Sequence, residues 1–385
     1  MHDRAAAARA PSRRARSGSD PERAHPTRRP PPPWRTVAAI RGPKGDDLAT
    51  PRRIAVIGAG SWGTSLAKLL AEEGLPTVLW AHEPEVVHGI RAQHRNPLFL
   101  GDVDLPESLE ATGDLTEALT GADAVVSAVP TQLIRQVLAN HAALLASAPV
   151  VVTVSKGIEA ETLQTPQQIL ADIGVPADRV VALSGPSFAR EVAARLPTAV
   201  VVAGLDRQRT LDARDLFSTE RFRVYSSDDV ISVELGGALK NVVAIAAGVA
   251  HGLSFGHNTH AAIVTRGLAE ITRLGVAQGG DPLTFAGLSG MGDLVLTCTG
   301  DLSRNRSVGV SLGQGRSLEQ ISAHMHEVAE GVHTSRSARD LGSRAGVEMP
   351  ITEQVCQMLF EGKHPADAVL SLTERDLRDE PEHRR

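Results

Sequence analysis

A lysine inside a long apolar segment is the residue whose setting points most directly to chemistry. Lys240 lies within residues 233–247, a run of apolar and small residues with helical periodicity. The residues three and four positions away on its helix face are two glycines, a valine and an alanine, which neither cover nor pair with an ammonium group. Because burial lowers the pKa of a lysine, we expect Lys240 to exchange a proton with a hydroxyl or carbonyl oxygen. The alternative is a lysine that extends to solvent.

Two other charged residues occupy positions that suit an active site. Asp293 is presented by the glycine-rich stretch 290–294, and a carboxylate within reach of a buried lysine would keep that lysine oriented; capping a helix is the alternative role. Lys156 follows the apolar run 150–154 and precedes Gly157, so we expect it at the carboxyl edge of a parallel sheet, where ligands bind. A solvated loop lysine fits the position of Lys156 equally well.

Two predicted helix starts carry anion-binding features. Ser303 is the expected N-cap of a helix with Arg304 and Asn305 in its first turn, although the helix dipole disfavours a cation there. A bound phosphate would remove that conflict, which favours an anion site. In the segment 184–189 a strand ends and a helix is expected to open at Ser187, where backbone N–H groups could hold an oxygen-bearing ligand. A plain N-cap has the same appearance.

A glycine-rich turn near the start of the body has the pattern of a dinucleotide-binding site. The apolar run 54–57 leads directly into Gly58-x-Gly60-x-x-Gly63, and a helical segment over 64–73 follows. In such a turn Gly58 permits the bend, Gly60 lets a pyrophosphate approach the backbone, and Gly63 lets the helix pack against the strand. The alternative is a glycine-rich turn that binds nothing.

The elements that position these residues alternate and then change character. Strand-like and helix-like runs alternate up to about residue 225, and helix-period segments follow, which predicts an α/β fold. We expect a Rossmann-type doubly wound parallel sheet over 51–227 that binds a dinucleotide, and an all-α substrate and catalytic domain over 228–373. A basic, Pro- and Arg-rich extension over 1–50 and a charged tail over 374–385 complete the prediction.

Composition excludes several classes of protein. The net charge is -5, but residues 1–50 carry an excess of Lys and Arg, so the body is acidic and nucleic-acid binding is not expected. The 1–50 extension is predicted to be disordered; an organellar transit peptide is the alternative, which its prolines oppose. The most apolar stretch, 235–253, contains polar residues and indicates a buried helix, so membrane insertion is not expected. Two cysteines provide no metal-ligand spacing and suit a reducing cytosol.

Eight motifs in order, taken together, resemble one family. They are Gly58-Ala-Gly-Ser-Trp-Gly-Thr64, Ser155-Lys-Gly-Ile158, Ser184-Gly-Pro-Ser-Phe-Ala189, Glu234-Leu-Gly-Gly-Ala-Leu-Lys-Asn241, Thr265-Arg-Gly-Leu-Ala-Glu270, Gly290-Met-Gly-Asp-Leu294, Leu302-Ser-Arg-Asn-Arg306 and Val328-Ala-Glu-Gly-Val332. From about residue 53 to 372 the chain resembles bacterial-type NAD(P)-dependent glycerol-3-phosphate dehydrogenase. The helical half would then resemble the C-terminal domain of the 6-phosphogluconate dehydrogenase superfamily.

The resemblance implies an activity, a cofactor and a setting. The reaction would be reversible hydride transfer between NADPH or NADH and dihydroxyacetone phosphate, giving sn-glycerol 3-phosphate for phospholipid synthesis. A homodimer in the cytoplasm, without a metal, is the family expectation. Lys240 would be the proton donor and acceptor, with Lys156 and Asp293 beside it as catalytic and substrate-binding residues.

The resemblance also assigns binding residues. The further substrate contacts would be Gly185, Ser187, Ser303, Arg304 and Asn305, with Arg304 on the phosphate. Besides the turn glycines Gly58, Gly60 and Gly63, the cofactor would be lined by Ser61, Trp62, His82, Lys156, Ala189, Arg304, Val328 and Glu330.

Some residues depart from the family pattern, and two rival functions stay open. After the second strand this chain has His82 and Glu83 where relatives often carry an arginine, so the choice between NAD and NADP is open. His257 stands where an acidic residue is frequent and receives no role. The rivals are a dehydrogenase of the same design acting on another hydroxy or keto acid, and a dinucleotide sensor without turnover. A leader that tethers the protein to nucleic acid or an anionic membrane is a third hypothesis.

Overall fold

The computed structural model describes residues 53–323 and 329–374, all of which fall in one unit of the chain, Gly45–Arg385. The predicted extension over 1–50, the predicted cofactor residue Val328 and the predicted tail beyond residue 374 lie outside the described residues.

Within residues 53–323 and 329–374, eight strands form one sheet. In chain order they are β1 Ile54–Ile57, β2 Thr77–Trp80, β3 Glu110–Thr112, β4 Ala124–Ser127, β5 Val150–Thr153, β6 Val180–Ser184, β7 Thr198–Gly204 and β8 Phe222–Ser227. Their spatial order is β3-β2-β1-β4-β5-β6-β7-β8. Helices cover both faces of the sheet, so the central strands β1, β4 and β5 are fully buried. Their sequences are therefore apolar or small at nearly every position instead of alternating with polar residues.

Between residues 53 and 227, all of which the structure describes, eight α-helices accompany the strands. They are α1 Ser61–Glu72, α2 Pro84–Gln93, α3 Leu115–Leu119, α4 Ile134–Leu138, α5 Ala142–Ser147, α6 Pro166–Asp172, α7 Ala189–Ala193 and α8 Arg207–Phe217. Ser127, the last residue of β4, pairs with Ile57 of β1 and Thr153 of β5, so the loops after these strands emerge at one edge. That edge carries the glycine-rich turn and Lys156.

The predicted parallel sheet is confirmed for β1 to β6, and one pairing departs from it. β7 runs antiparallel to β6, with Ser184 opposite Val201, while β8 returns parallel to β7. The connection between β6 and β7 contains α7, and five helical residues advance only about 7.5 Å. A five-residue strand spans roughly 17 Å, so this helix is too short to carry the chain back for a parallel return.

Nine helices follow β8 in the part of the chain that the structure describes. They are α9 Val230–Gly252, α10 His257–Ala277, α11 Pro282–Phe285, α12 Asp293–Thr299, α13 Arg304–Gly313, α14 Leu318–Ser322, α15 Glu330–Ala345, α16 Pro350–Phe360 and α17 Pro365–Thr373. A π-helical turn, Leu288–Gly292, leads into α12. The helical half expected after residue 227 is therefore present.

Helix α9 is the centre of this helical part. In the described chain it is the one helix long and apolar enough to cross a membrane, yet 94% of its most apolar window is buried in the protein, so it is a core helix. It packs closely against α13 through glycines: a Cβ on Gly248 would lie 2.1 Å from the carbonyl oxygen of Arg306, and one on Gly309 would lie 2.0 Å from that of Ile245. This contact fixes the start of α13 relative to Lys240.

Candidate active site

Three charged side chains from distant parts of the chain meet in one buried cluster. Asp293 Oδ1 accepts a hydrogen bond from Lys240 Nζ at 2.5 Å, and Asp293 Oδ2 accepts one from Lys156 Nζ at 2.7 Å. The Asp293 side chain is 1% exposed, against 9% for Lys240 and 15% for Lys156. The fold therefore brings together the three residues expected to be catalytic; we call them the lysine–aspartate cluster.

Two glycines of α9 make room for this cluster. A Cβ on Gly237 would lie 2.5 Å from Ser184 Oγ and 3.5 Å from Lys156 Cγ, so the aliphatic part of Lys156 passes directly over the helix. A Cβ on Gly236 would lie 2.7 Å from the carbonyl oxygen of Ser289, in the π-helical turn. The glycines next to Lys240 on α9 thus leave space in which Lys156 and the π-helical turn before Asp293 can approach it.

Asp293 directly follows the π-helical turn. Asp293 is the first residue of α12, and Gly292 occupies the N-cap position without a capping side chain. The carboxylate of Asp293 is directed to the two lysines, so the alternative role as a helix cap is wrong. Such π-helical turns are rare and are frequently found at functional sites.

Burial and the neighbouring charges place the pKa of Lys240 in a useful range. Desolvation and the positive charge of Lys156 lower this pKa, Asp293 raises it, and the net result is a pKa of about 8. An ammonium with that pKa is mostly protonated at neutral pH and gives up its proton readily near pH 8. This is the property required of a general acid that also serves as a base in the reverse direction.

Thr297 completes the cluster and was not found from the sequence. Its hydroxyl accepts a hydrogen bond from Lys240 Nζ at 2.9 Å and donates one to the carbonyl oxygen of Asp293 at 2.6 Å. Thr297 lies four residues after Asp293 on α12, so both side chains are on one helix face. That spacing is the signal that could have identified it.

The glycine-rich turn has the geometry needed for a dinucleotide. Gly58 has φ +109°, and a Cβ there would lie 2.7 Å from the carbonyl oxygen of Ala128; a Cβ on Gly63 would lie 1.9 Å from that of Gly58. A Cβ on Gly60, in contrast, meets no described atom within 4 Å, so one face of the turn is open. Close approach of a pyrophosphate to the backbone requires such an open face.

Hydrogen-bond donors are available at the same turn. Helix α1 begins at Ser61, and its N-cap Gly60 provides no capping side chain, so its first turn can direct N–H groups to an anion. The indole Nε1 of Trp62 is buried and has no hydrogen-bond partner among the described residues. The residues present therefore fit the phosphates of a dinucleotide cofactor.

The other expected cofactor residues lie in several settings. Glu330 begins α15 and is partly buried; its carboxylate accepts hydrogen bonds from the backbone N–H and the hydroxyl of Thr131, and burial raises its pKa. The carbonyl oxygen of Ala189 accepts a hydrogen bond from Ser65 at 2.9 Å, which ties α7 to α1. His82 is exposed just beyond β2.

The start of α13 is arranged as expected. Ser303 is its N-cap and accepts a hydrogen bond from the backbone N–H of Arg306 at 3.2 Å, while Arg304 is exposed at the first helical position. Asn305 is buried, and its Oδ1 accepts a hydrogen bond from the N–H of Gly331 at 3.0 Å. Asn305 therefore connects α13 to α15, which a sequence motif alone does not show.

The loop after β6 differs from the expectation. Helix α7 begins at Ala189 with Phe188 as its N-cap, so the predicted helix start at Ser187 is wrong. The Ser187 hydroxyl instead donates to the carbonyl oxygen of Gly185 at 3.0 Å, and that same oxygen accepts a hydrogen bond from Lys156 Nζ at 3.2 Å. Gly185 has φ +135°, a conformation that favours glycine. Among residues 53–323 and 329–374, no group of three or more His, Cys, Asp or Glu could hold a metal ion.

Two family models cover almost all of the described chain. Residues 53–210 match the NAD-dependent glycerol-3-phosphate dehydrogenase N-terminus, and residues 229–370 match the NAD-dependent glycerol-3-phosphate dehydrogenase C-terminus. A curated relative, glycerol-3-phosphate dehydrogenase [NAD(P)+] of Citrifermentans bemidjiense, is 55% identical over 330 residues, which are 85% of this chain and 98% of the relative.

Solved structures give the same result. The glycerol-3-phosphate dehydrogenase of Coxiella burnetii is 38% identical with a TM-score of 0.81, and the match covers 85% of this chain and all of that one. The yeast glycerol-3-phosphate dehydrogenase structure is 27% identical with a TM-score of 0.71, covering 84% of this chain and all of that one.

Proposed function

The chain belongs to the NAD-dependent glycerol-3-phosphate dehydrogenase family, and we propose that it carries out this reaction through the lysine–aspartate cluster. It is an oxidoreductase that interconverts dihydroxyacetone phosphate and sn-glycerol 3-phosphate with NADH or NADPH. The observation that carries the assignment of residues is one buried carboxylate shared by two lysines, beside the loop that follows β6.

Lys240 is the general acid and base of the proposed mechanism. Reduced nicotinamide supplies the hydride when the cofactor is bound. As the carbonyl carbon of dihydroxyacetone phosphate is reduced, negative charge develops on its oxygen, and Lys240 Nζ donates a proton to it. In the reverse direction the neutral amine of Lys240 takes the proton from the hydroxyl group of glycerol 3-phosphate.

Asp293 and Lys156 prepare Lys240 for this role. Asp293 fixes the direction of the Lys240 ammonium through the 2.5 Å hydrogen bond and offsets part of the cost of burying its charge. Lys156 supplies a second positive charge near the developing oxyanion, a preorganised electrostatic stabilisation that needs no rearrangement during the reaction. Thr297 accepts a further hydrogen bond from the Lys240 ammonium and restricts its direction.

The substrate phosphate is assigned to the start of α13. Arg304 can hold a phosphate with two parallel N–H groups, and the N–H groups of Arg304 and Asn305 lie at the positive end of the helix dipole. Ser303 is occupied with capping α13, so its proposed contact with substrate uses the backbone or the outer face of the hydroxyl. Gly185 and Ser187 are assigned to the carbonyl end, because the Gly185 carbonyl oxygen contacts Lys156.

The cofactor is assigned to the glycine-rich turn and the residues around it. Gly58, Gly60 and Gly63 with the N–H groups of Ser61 and Trp62 would hold the pyrophosphate, His82 the adenosine end, and the nicotinamide end would lie by Glu330. Lys156, Ala189 and Arg304 are proposed to line the same cofactor. Val328 is assigned to it by the family resemblance alone.

The setting of the enzyme is proposed from the family and from the distribution of apolar residues. We place it in the cytoplasm, as a homodimer that supplies phospholipid synthesis, with dinucleotide binding by residues 51–227 and catalysis by residues 228–373. The burial of α9 within the protein supports a role away from the membrane core.

Turnover by the full chain tests the proposed activity. NADH and NADPH oxidation are measured with dihydroxyacetone phosphate and with unphosphorylated dihydroxyacetone. We expect turnover only with the phosphorylated substrate, because Arg304 recognises the phosphate. Nucleotide binding without turnover would favour a sensor, and turnover of another keto acid would favour a sibling dehydrogenase.

Replacement of Lys240 tests the proposed mechanism. Lys240→Ala should lower kcat by about 10²- to 10⁴-fold, the usual contribution of a general acid, with cofactor affinity retained. Because reduction needs the ammonium form, wild-type kcat/KM for reduction should fall as the pH rises through about 8. Lys363→Ala is the control, since the Lys363 ammonium contacts Gln354 and Gln357 of α16 and Ser371 of α17 rather than the cluster. Near-normal activity of Lys240→Ala contradicts the mechanism.

A further inference from the structure

The loop between β5 and α6 delivers Lys156 to the cluster and needs to be held in place. Gly157 follows Lys156 directly, and a Cβ there would lie 2.8 Å from Thr131 Oγ1, so the backbone is tightly packed at that point. The next side chain, Ile158, is fully buried among apolar residues of the helical part. Any shift of the loop would therefore move Lys156 relative to Asp293.

The loop closes on itself immediately afterwards. The N–H of Glu159 donates to the carbonyl oxygen of Gln164 at 2.9 Å, and the N–H of Leu163 donates to that of Glu159 at 3.1 Å. Leu163 has φ +60°, a left-handed conformation that a leucine rarely adopts. A closed loop with this conformation requires interactions from outside it.

Arg135 of α4 lies at the point where the loop closes. Its Nε and Nη2 donate to the two carboxylate oxygens of Glu159 at 3.2 and 3.1 Å, and Nη2 also donates to Gln164 Oε1 at 2.9 Å. Nη1 donates to Asp172 of α6 at 2.6 Å. One guanidinium group thus connects α4, both ends of the closed loop and the helix that follows it. A planar guanidinium fixes such an arrangement more tightly than an ammonium can.

The charge of Glu159 depends on Arg135. Burial opposes the ionised form of Glu159, and hydrogen bonds from Arg135 and Thr162 overcome that effect, so its pKa lies below the ordinary value. Without Arg135 the carboxylate of Glu159 would still be desolvated, but no cation would compensate the free-energy cost of burying its charge. The loop would then open to hydrate Glu159, three residues from Lys156.

We propose that Arg135 and Glu159 are positioning residues for Lys156: their ion pair holds the β5–α6 loop in the conformation that places the Lys156 ammonium on Asp293. Neither side chain touches the reacting groups, and both act through Lys156. This inference rests on the proposed function, because it assigns Arg135 and Glu159 to the performance of the lysine–aspartate cluster.

The proton affinity of Lys240 reports on the position of Lys156. The charged and titratable groups that face Lys240 are Asp293 and Cys298 of α12 and Lys156 of the loop. If Lys156 moves away, Lys240 loses a nearby cation that lowers its pKa. The carboxylate of Asp293, which raises that pKa, then interacts with Lys240 alone. The pKa of Lys240 then rises, so the decline of the reduction rate moves to higher pH.

The test uses Arg135→Met in the full chain. We expect kcat for dihydroxyacetone phosphate reduction to fall about 10- to 100-fold, the usual cost of a misplaced catalytic group, with NADH affinity unchanged and the pH decline shifted upward. Arg339→Met is the matched control: Arg339 is 30% exposed and Arg135 33%, and each donates to a half-exposed carboxylate, Glu361 and Asp172 respectively. Arg339→Met should retain wild-type kcat and pH profile.

Glu159→Gln and the double variant give a second measurement that holds even if Arg135→Met is unstable. Glu159→Gln should show the same upward shift, and the double variant should lose no more than Arg135→Met, because the two residues act as one unit. Additive losses, or an unshifted pH profile in both single variants, would overturn the proposal while leaving the proposed function intact. A wild-type chain without turnover of dihydroxyacetone phosphate would overturn both.

Discussion

The glycine-rich turn and the lysine–aspartate cluster are built in opposite ways. The turn comes from one contiguous stretch, residues 58–63, and works through backbone N–H groups and the absence of side chains. The cluster comes from a loop after β5, the middle of α9 and the start of α12, and works entirely through side-chain charges. The first is a local property of the chain, whereas the second exists only when the sheet and the helical part are both folded.

The two regions also differ in how their parts depend on one another. Each N–H group of the turn is neutral and would be available without the others. In the cluster one carboxylate serves two ammonium groups, so a change in any member alters the charge balance of the remaining two. A turn substitution that the fold has room for, such as one at Gly60, should therefore affect binding of the cofactor alone. Substitutions in the cluster should affect turnover and its pH dependence together.

The largest effect is expected where the shared charge is removed. Asp293→Asn leaves two lysines facing each other without a carboxylate, and we expect kcat to fall by about 10²- to 10⁴-fold because Lys240 loses both its orientation and its charge. Since Asp293 raises the pKa of Lys240, the decline of the reduction rate should move to lower pH. Steady-state rates across pH measure both, with the unfolding temperature as a control. A wild-type kcat in Asp293→Asn would contradict the dependence of Lys240 and Lys156 on this shared carboxylate.

A smaller and different effect is expected in the turn. Gly60→Ala adds a methyl group where the fold has room, so the unfolding temperature should not change. The same methyl group stands where the pyrophosphate approaches, and such overpacking costs about 1–3 kcal/mol, which is roughly a 5- to 150-fold increase in the Kd for NADH. Calorimetric titration measures that Kd. Gly63→Ala is the contrasting variant, since its Cβ would strike the carbonyl oxygen of Gly58 and destabilise the protein itself. Equal Kd values for Gly60→Ala and wild type would contradict the assignment of this turn to the cofactor site.

This difference explains what the sequence could predict. The turn, the strand that precedes it and the burial of Lys240 follow from local patterns, and the structure has all three. The cluster joins Lys240 to Lys156, 84 positions away, so the sequence left Lys156 open between a solvated loop and the site. Thr297 was missed because its only signal, the four-residue spacing from Asp293, has meaning only once both residues are known to lie on one helix. The antiparallel β7 was missed because strand direction depends on how the connection folds.

The smallest effect on activity is expected at Glu234, a buried carboxyl group outside the cluster. Glu234 lies on α9 six residues before Lys240, and its Oε1 accepts a hydrogen bond from the N–H of Gln167 at 2.8 Å. No cation compensates it among the described residues that contact it, and burial raises its pKa from 4.5 to about 7. It therefore shows what a buried carboxylate does without the lysines that accompany Asp293.

Glu234→Gln should leave kcat unchanged and alter stability with pH. In the unfolded chain Glu234 ionises near its ordinary pKa, whereas the folded protein resists ionisation up to about pH 7, so wild-type stability falls as the pH rises between these values. The variant does not ionise and so avoids this loss of stability, and it should be more stable than wild type above pH 7 by on the order of 3 kcal/mol. Denaturant unfolding across pH measures this. Glu270→Gln is the contrast and should destabilise, since both oxygens of Glu270 accept N–H groups at the start of α16. A Glu234→Gln variant that is less stable at every pH would contradict the assignment.

Helix α9 also limits how the length of this protein can vary. This one helix carries several residues whose relative positions matter. Gly236 and Gly237 leave room for the π-helical turn, Ser184 and Lys156, and Gly248 leaves room for α13. Lys240 lies between these glycines on the same helix. An inserted residue turns everything beyond it by about 100°. A single-codon insertion between positions 237 and 240 would thus direct the lysine away from its carboxylate while leaving composition and hydropathy almost untouched. Insertions and deletions should be tolerated in the surface connections and excluded from this one helix.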